Sequence, residues 1–333
     1  MNFIFKVRHY LHLYFRRHFN YSFIGDNIQL EKNYWIKGYQ TNIDTKKWEI
    51  ENGIPLGLYN GSLKAPLAQR VHIAGLNEYC FALTEKGRES EQKKVVDFLL
   101  DHLKQDSSKK PAVEYAYWET YKDNTLNEYY VHGMGQGQIL SMLTRYALFI
   151  SKESNANVIE FLIKISNSYL IPFNDNHGFV KIEGSSVIFE EYPKNQDVTS
   201  HVLNGWMYSL IGLYDYLSFA KKIKIKDDLL HEKETLFDRS IKTLANKLPL
   251  YNMGYWSLYN LPKSTKNICS IHYQEQHIVL LQTLFFLSKE EIFKIYSDKF
   301  KKQYHSVFCR ILSFFIKVFI TNIWKYKRIY KRV

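Results

Sequence analysis

The chain has 333 residues, 46% of them hydrophobic, which is enough to bury one large core and too apolar for a disordered chain. Its 45 Lys and Arg against 33 Asp and Glu give a formal charge of +12, but the excess sits at the ends: residues 1–20 hold four basic residues and no acid, and residues 301–333 hold nine and no acid. The stretch between them carries 32 basic against 33 acidic residues, so no basic footprint is spread over a folded surface, which argues against a nucleic-acid partner.

In chain order, residues 1–20 (MNFIFKVRHYLHLYFRRHFN) form a basic amphipathic segment of the kind that lies on an anionic membrane surface, or that docks as a helix on the main domain. The segment lacks the uninterrupted apolar core and small-residue cleavage site of a signal peptide. Residues 21–70 hold short aromatic and polar runs broken by Gly and Pro, including NGIPLGLYNGS, and are expected to form a short β-rich region. From 71 to 300 the period is helical. Ile139, Leu143, Tyr146, Ala147 and Ile150 share a face, as do Leu203, Met207, Leu210, Ile211, Tyr214 and Leu217, and again Phe237, Ile241, Leu244 and Leu248. Further helical runs lie near 92–104, 156–170 and 275–296, while 178–190 reads as a hairpin with Gly184 and Ser185 near its turn. Six or seven helices joined by such loops predict a mainly α fold: an α/α barrel (toroid) with a short N-terminal β region, β-hairpins in the loops and a cleft at one loop end. Residues 301–333 return to the basic amphipathic pattern, and Arg310 and Lys317 break their apolar stretches far short of the ~20 residues a membrane span needs.

The motifs first exclude chemistry. Cys80, Cys269 and Cys309 are odd in number and form no CxxC pair, which argues against a disulfide framework or zinc cluster and for a reducing compartment. GMGQGQ, from Gly133 to Gln138, opens a helix but fits neither GxGxxG nor GxxxxGK[ST]. Its glycines either aim backbone amides at a carboxylate or simply permit close packing. In IHYQEQHI, His272 and His277 are five apart, so a helix turns them to different faces and the HExxH zinc pattern is not met; Tyr273 and His277, four apart, share a face. No GxSxG nucleophile elbow is present. In FEEYP, which ends the alternating run GFVKIEGSSVIFEEYP, Glu190 and Glu191 are adjacent, so a strand points them to opposite faces, and they cannot by themselves form the facing carboxylates of a glycosidase.

Taken in order, GMGQGQILS, FEEYP, HVLNGWMYSLIGLYDY, LPLYNMGYWSLYNL and IHYQEQHI resemble the catalytic domain of the D-glucuronyl C5-epimerases, which act on heparosan-type polysaccharides. The resemblance runs over residues 53–300 and is sharpest in 133–278. It implies an α/α barrel preceded by β structure, a homodimer, and conversion of D-glucuronate to L-iduronate units in a capsule, O-antigen or lipid-linked glycan. Epimerisation removes a proton beside a carboxylate and returns one to the opposite face of the ring, so it needs proton-transfer groups on both faces and donors that neutralise the carboxylate, and in principle no cofactor or metal.

By the same resemblance, Glu191, Tyr192, Tyr259 and Tyr273 form the implied catalytic set. Tyr192 with Glu191 would work one face, while Tyr259 and Tyr273 work the other or bind the carboxylate. Gln136, Asn204, His272 and His277 are the implied substrate-binding residues. A phenol of ordinary pKa is only ~0.1% ionised at pH 7, a deficit of ~4 kcal/mol for a phenolate base, so cations are expected nearby, with His272, His277 and Lys194 as candidates. The animal enzymes carry an arginine and an aspartate where this chain has Ser270 and His272, so recognition of the sugar is expected to differ. Glu190 is expected to face solvent. A polysaccharide lyase, which removes the same proton, and a non-catalytic glycan-binding scaffold remain as alternatives. Together with the reducing compartment, the basic ends lead us to expect a cytoplasmic protein held peripherally at the inner membrane leaflet.

Overall fold

Two kinds of helix alternate along the chain, and their residue patterns decide which lies inside. The computed structural model describes residues 3–16, 21–23, 35–37, 50–56, 71–108, 113–120, 130–149, 155–175, 177–193, 201–261 and 266–320. After α1 (Phe3–Arg16), four helical hairpins follow: α2 (Ile73–Glu85) with α3 (Glu89–His102), α4 (Gly133–Phe149) with α5 (Asn155–Asn167), α6 (Leu203–Ile223) with α7 (Leu230–Lys247), and α8 (Ile271–Ser288) with α9 (Glu291–His305). A short α10 (Val307–Phe315) closes the described helices.

The first helix of a hairpin is apolar on nearly every side, as in α4 and α6, where almost every residue is buried. The second carries a single apolar stripe, as in α7, which buries Leu236, Phe237, Ser240, Ile241 and Leu244 and turns its charged residues outward apart from Lys233, buried on Asp227. An all-round apolar helix must be covered on all sides, whereas a striped one can line the outside. Accordingly the substantial contacts join α2 to α4, α4 to α6 and α6 to α8 in sequence order, with α3, α5, α7 and α9 against them, and none joins α8 back to α2 among the described elements.

The α4–α6 crossing is the tightest. A Cβ on Gly212 would lie 1.9 Å from the carbonyl oxygen of Gly137, and one on Gly137 would lie 2.4 Å from that of Tyr208. Of the two roles open to the glycines of GMGQGQ, Gly137 therefore serves close packing. Beside the crossing, buried Asp215 accepts hydrogen bonds from Arg145 (2.6 Å) and the Ser141 hydroxyl (2.7 Å), so its charge is matched within the helix pair.

Ten short strands form five antiparallel pairs among the described residues: β1 (Tyr21–Phe23) with β2 (Trp35–Lys37), β3 (Ile50–Glu51) with β4 (Ile54–Pro55), β5 (Lys104–Asp106) with β6 (Tyr115–Tyr117), β7 (Val180–Glu183) with β8 (Ser186–Phe189), and β9 (Leu258–Asn260) with β10 (Asn267–Ile268). The expected hairpin is β7–β8, turned at Gly184 with φ +58°.

The structure is mainly helical, as expected, with two corrections to the element count. The run 275–296 is two helices, broken where Lys289 adopts a left-handed conformation (φ 62°) and its amide bonds the Phe285 carbonyl. The described residues between 71 and 305 thus hold eight α-helices rather than six or seven. Ile150, Lys194, residues 57–70 and residues 321–333 lie outside the described residues.

The two ends of the chain meet. Tyr14 of α1 is fully buried, stacked on Trp256 (centroids 6.0 Å apart) and edge-on to Phe314 of α10 (5.9 Å), and Arg310 donates to the Tyr14 carbonyl. Among the described residues no helix is long and apolar enough to cross a membrane.

Candidate active site

The β7–β8 hairpin delivers FEEYP to the start of α4. Just past β8, the Glu190 amide donates to the Phe179 carbonyl and the Glu190 carbonyl accepts from Gly133, the first residue of α4, both at 2.9 Å. The chain is thereby pinned on both sides of the peptide that leads into Glu191. The Glu190 side chain itself is 0% exposed, correcting the expectation that it faces solvent. His201 covers it, donating its backbone amide at 2.8 Å and pairing its Nδ1 at 2.7 Å. A buried carboxylate is tolerable only with such partners.

Glu191 is 5% exposed and accepts the Tyr259 hydroxyl at 3.3 Å. Gly205, near the start of α6, makes room for it: a Cβ there would lie 2.3 Å from Glu191 Oε2. The hydroxyls of Tyr192 and Tyr259 are hydrogen-bonded to each other. Tyr259, on β9, lies against the ring of Tyr273, with centroids 4.9 Å apart and planes tilted by 55°. Tyr273 is set by the start of α8, where the Ser270 hydroxyl accepts the Tyr273 amide as the helix N-cap. On the other flank Tyr130 contacts both Tyr192 (5.8 Å) and His132 (5.6 Å). Three separate segments thus bring Glu191, Tyr192, Tyr259 and Tyr273 into one cluster.

Its electrostatics run opposite to the expected phenolate. The charge of Glu191 and then burial push the Tyr192 phenol far above its ordinary value. Burial, then the Glu191 charge, does the same to Tyr259, and burial, then Glu78 and Tyr273, to Tyr208. These three phenols are therefore neutral at pH 7, able to donate protons but not to act as resting bases. The Glu191 carboxylate, which takes the Tyr259 hydroxyl, is the acceptor these phenols face.

A family model described as "D-glucuronyl C5-epimerase C-terminus" matches residues 105–302, more than half of the chain. This chain belongs to that family. A curated D-glucuronyl C5-epimerase from Caenorhabditis elegans is 29% identical over 175 residues, covering 50% of this chain and 27% of that protein. The chain thus spans about a quarter of the length of the curated relative it matches. The matched region begins at residue 105 rather than 53, so α1 to α3 and α10 lie outside it.

Within the family's matched region the other implied residues divide. Gln136 is spent on structure: its carbonyl accepts the Trp118 amide, and its amide donates to the Ala116 carbonyl and the Ser168 hydroxyl, tying β6 and the end of α5 to α4. His277 is also internal. Its Nδ1 meets the Ser257 hydroxyl at 2.7 Å, and burial lowers its pKa to about 3, so it supplies no positive charge to the phenols at neutral pH. The Gln274 amide donates to the Phe300 carbonyl, leaving its carbonyl to accept from Ser257, so His277 donates to Ser257 through Nδ1–H. His272 is partly buried, with its ring edge-on to Tyr273 (5.5 Å) and Nε2 3.1 Å from the Gln276 amide. Asn204, beside Gly205, is buried with no partner for Oδ1 among the described residues, and its amide reaches only the Met134 sulfur at 3.9 Å.

Sequence reasoning in this family missed Tyr130, His132 and Tyr208. His132 precedes α4, and its Nδ1 accepts the Gly135 amide at 3.0 Å, which leaves the ring proton of the neutral form on Nε2. Tyr208 lies four residues after Asn204, on the same face of α6, a spacing that could have flagged it. Among the described residues no His, Cys, Asp and Glu cluster could hold a metal.

Proposed function

We propose that this chain is a polysaccharide uronate C5-epimerase that converts D-glucuronate to L-iduronate units, with Glu191 as the base. The observation that supports this most directly is the buried Glu191 carboxylate held among neutral phenols, in a chain of the C5-epimerase family. Glu191 would take the C5 proton while the electron pair of the C–H bond delocalises into the substrate carboxylate as an enolate. Because Tyr259 hydrogen-bonds Glu191, it belongs to the Glu191 face with Tyr192, which leaves Tyr273 to protonate C5 from the other face. Tyr273 then recovers a proton from solvent, and Glu191 loses its own through the Tyr259–Tyr192 hydroxyl pair, so the cycle is redox-neutral and exchanges one solvent hydrogen into the product. Asn204 Oδ1 would accept a substrate hydroxyl, because an unpartnered buried carbonyl gains most from a new donor. We also read the α2–α4–α6–α8 arc as the inner wall of an α/α toroid whose loop end holds this cluster.

The test is to incubate the protein with a glucuronate-containing polymer such as heparosan in D2O and follow C5 by NMR. Deuterium should enter at C5 with wild-type protein and not with Glu191→Gln. Absence of exchange on every uronate polymer tried would sink the reading, and growth of the unsaturated-uronate absorbance would replace it with a lyase.

A further inference from the structure

The two helices at the ends of the chain, about 290 residues apart in sequence, pack together and both leave apolar side chains exposed. On α10, Val307, Phe308, Ile311 and Phe315 lie on one side of the helix and stay open to solvent, Phe308 at 72% and Val307 at 67%. On α1, Leu11 and Phe15 do the same, and the Phe15 ring meets Phe314 of α10, next in sequence to Phe315, at 6.1 Å, so the helices that carry the two sets pack together. The opposite sides of both helices, and the π-helical turn Ile316–Ile320 that continues α10, are docked: Tyr14, Phe314 and Val318 are buried, and Lys317 donates to the Ile268 carbonyl (2.6 Å) and the Asn267 side chain (3.0 Å). These helices thus satisfy the core and still present large apolar side chains outward. Soluble surfaces rarely leave such patches unless something covers them.

We infer that this face docks on an anionic lipid bilayer, lying in the headgroup region without crossing it. Charge selects this occupant. Residues 1–20 and 301–333 together carry 13 basic residues and no acid, on a chain whose remaining residues are balanced. Arg8 and His12 on α1 are exposed beside the apolar residues, and the last stretch, TNIWKYKRIYKRV, interleaves five basic residues with Trp and Tyr, the residues favoured at a membrane interface. A second protein copy carrying the same basic ends would instead bring like charges together. The face lies outside the family's matched region, so it adds to the proposed activity rather than depending on it. It is nevertheless joined to the site: Lys317 holds β10, Tyr14 stacks on Trp256, and β10 pairs with β9, which carries Tyr259.

The test is flotation of the full chain with vesicles, using phosphatidylcholine alone and phosphatidylcholine carrying about a third phosphatidylglycerol. Binding is expected on the anionic vesicles, at least about tenfold weaker on the neutral ones, and to fall steeply with added salt. Phe308→Asp with Phe315→Asp should abolish it while urea unfolding stays unchanged, and Lys327→Glu with Arg328→Glu should weaken it without touching the apolar residues. Failure of the wild-type chain to float, or equal, salt-independent binding to both vesicle types, would overturn the proposal. So would a wild-type dimer that the Phe308→Asp, Phe315→Asp variant dissociates while vesicles bind neither form, which would assign the face to a second copy of the chain.

Discussion

At the scale of single residues, protonation state decides the chemistry. A phenolate base would make exchange at C5 climb about tenfold per pH unit through the neutral range, because its ionised fraction does. A Glu191 base frees the rate from phenol ionisation, so exchange should not climb tenfold per unit from about pH 7 to 9, where Tyr192 and Tyr259 stay neutral. Deuterium incorporation measured across that range separates the two, and a tenfold rise per unit would return the base role to a tyrosine. Glu191→Gln should lower the rate by about 10²–10⁴, and Tyr259→Phe, which removes one hydrogen bond to Glu191, by about tenfold. His277 carries the clearest stability prediction. Its folded pKa of about 3 lies below the unfolded value of ~6.5, so the unfolded chain binds more protons between those values and stability falls as pH drops through that window. Wild-type protein should lose about 1.4 kcal/mol per pH unit below ~6, and His277→Asn should flatten the slope in urea titrations at pH 7.5 and 5.5. An equal slope in both proteins would mean other groups set the acid limit. Sequence alone could not separate His277 from His272, since both are histidines of one octapeptide, and only the partners, Ser257 for one and the Tyr273 ring for the other, distinguish interior from site. Gln136 was illegible for the same reason: a glutamine that binds sugar and one that ties a strand to a helix have the same sequence signature.

At the scale of elements, two glycines show how packing and site are joined. Gly212 meets the backbone of Gly137, which cannot yield, so Gly212→Ala should prise α4 from α6 and cost more than the usual ~1–3 kcal/mol of an overpacked core, seen as insoluble protein or a much lower urea midpoint. Gly205 instead meets one side chain, that of Glu191, along its length from Cβ (2.9 Å) to Oε2 (2.3 Å). Gly205→Ala should therefore leave a folded protein whose exchange rate is sharply reduced because the carboxylate is displaced, and near-wild-type exchange in that variant would remove Glu191 from its assigned position. The hairpin at 180–189 and the faces of α4, α6 and α7 were legible in the sequence because alternation and the 3.6-residue period are written in the apolar residues themselves. The break between α8 and α9 was not. It is made by Lys289 in a left-handed turn where glycine or asparagine would have announced it, so the apolar period appeared to run on. The cluster of Glu191, Tyr192, Tyr259 and Tyr273 was legible only through its family motifs, since its members are spread over about 80 residues of sequence and no spacing rule joins them.

At the scale of the molecule, composition revealed that both ends are basic and apolar, but not that they meet. That meeting makes the ends structural as well as exposed, and it changes what can be learned by cutting them off. Tyr304 is fully buried, donates to Glu275 at 2.7 Å and lies parallel to Trp256, which in turn holds Tyr14 of α1. Removing residues 301–333 would strip Tyr304 from Trp256 and Phe314 from Tyr14 together, leaving the Glu275 carboxylate without that donor and a cavity beneath α1. Loss of a buried aromatic of this kind costs about 3–5 kcal/mol, so the truncated chain should unfold at a far lower urea concentration or fail to fold, and its behaviour in membrane fractions would report misfolding rather than docking. Phe308→Asp, on the solvent side of the same helix, should change stability by no more than about 0.5 kcal/mol. Urea unfolding of the two proteins side by side checks this, and a truncated chain with the wild-type midpoint would show that the ends are appended to the domain and not built into it.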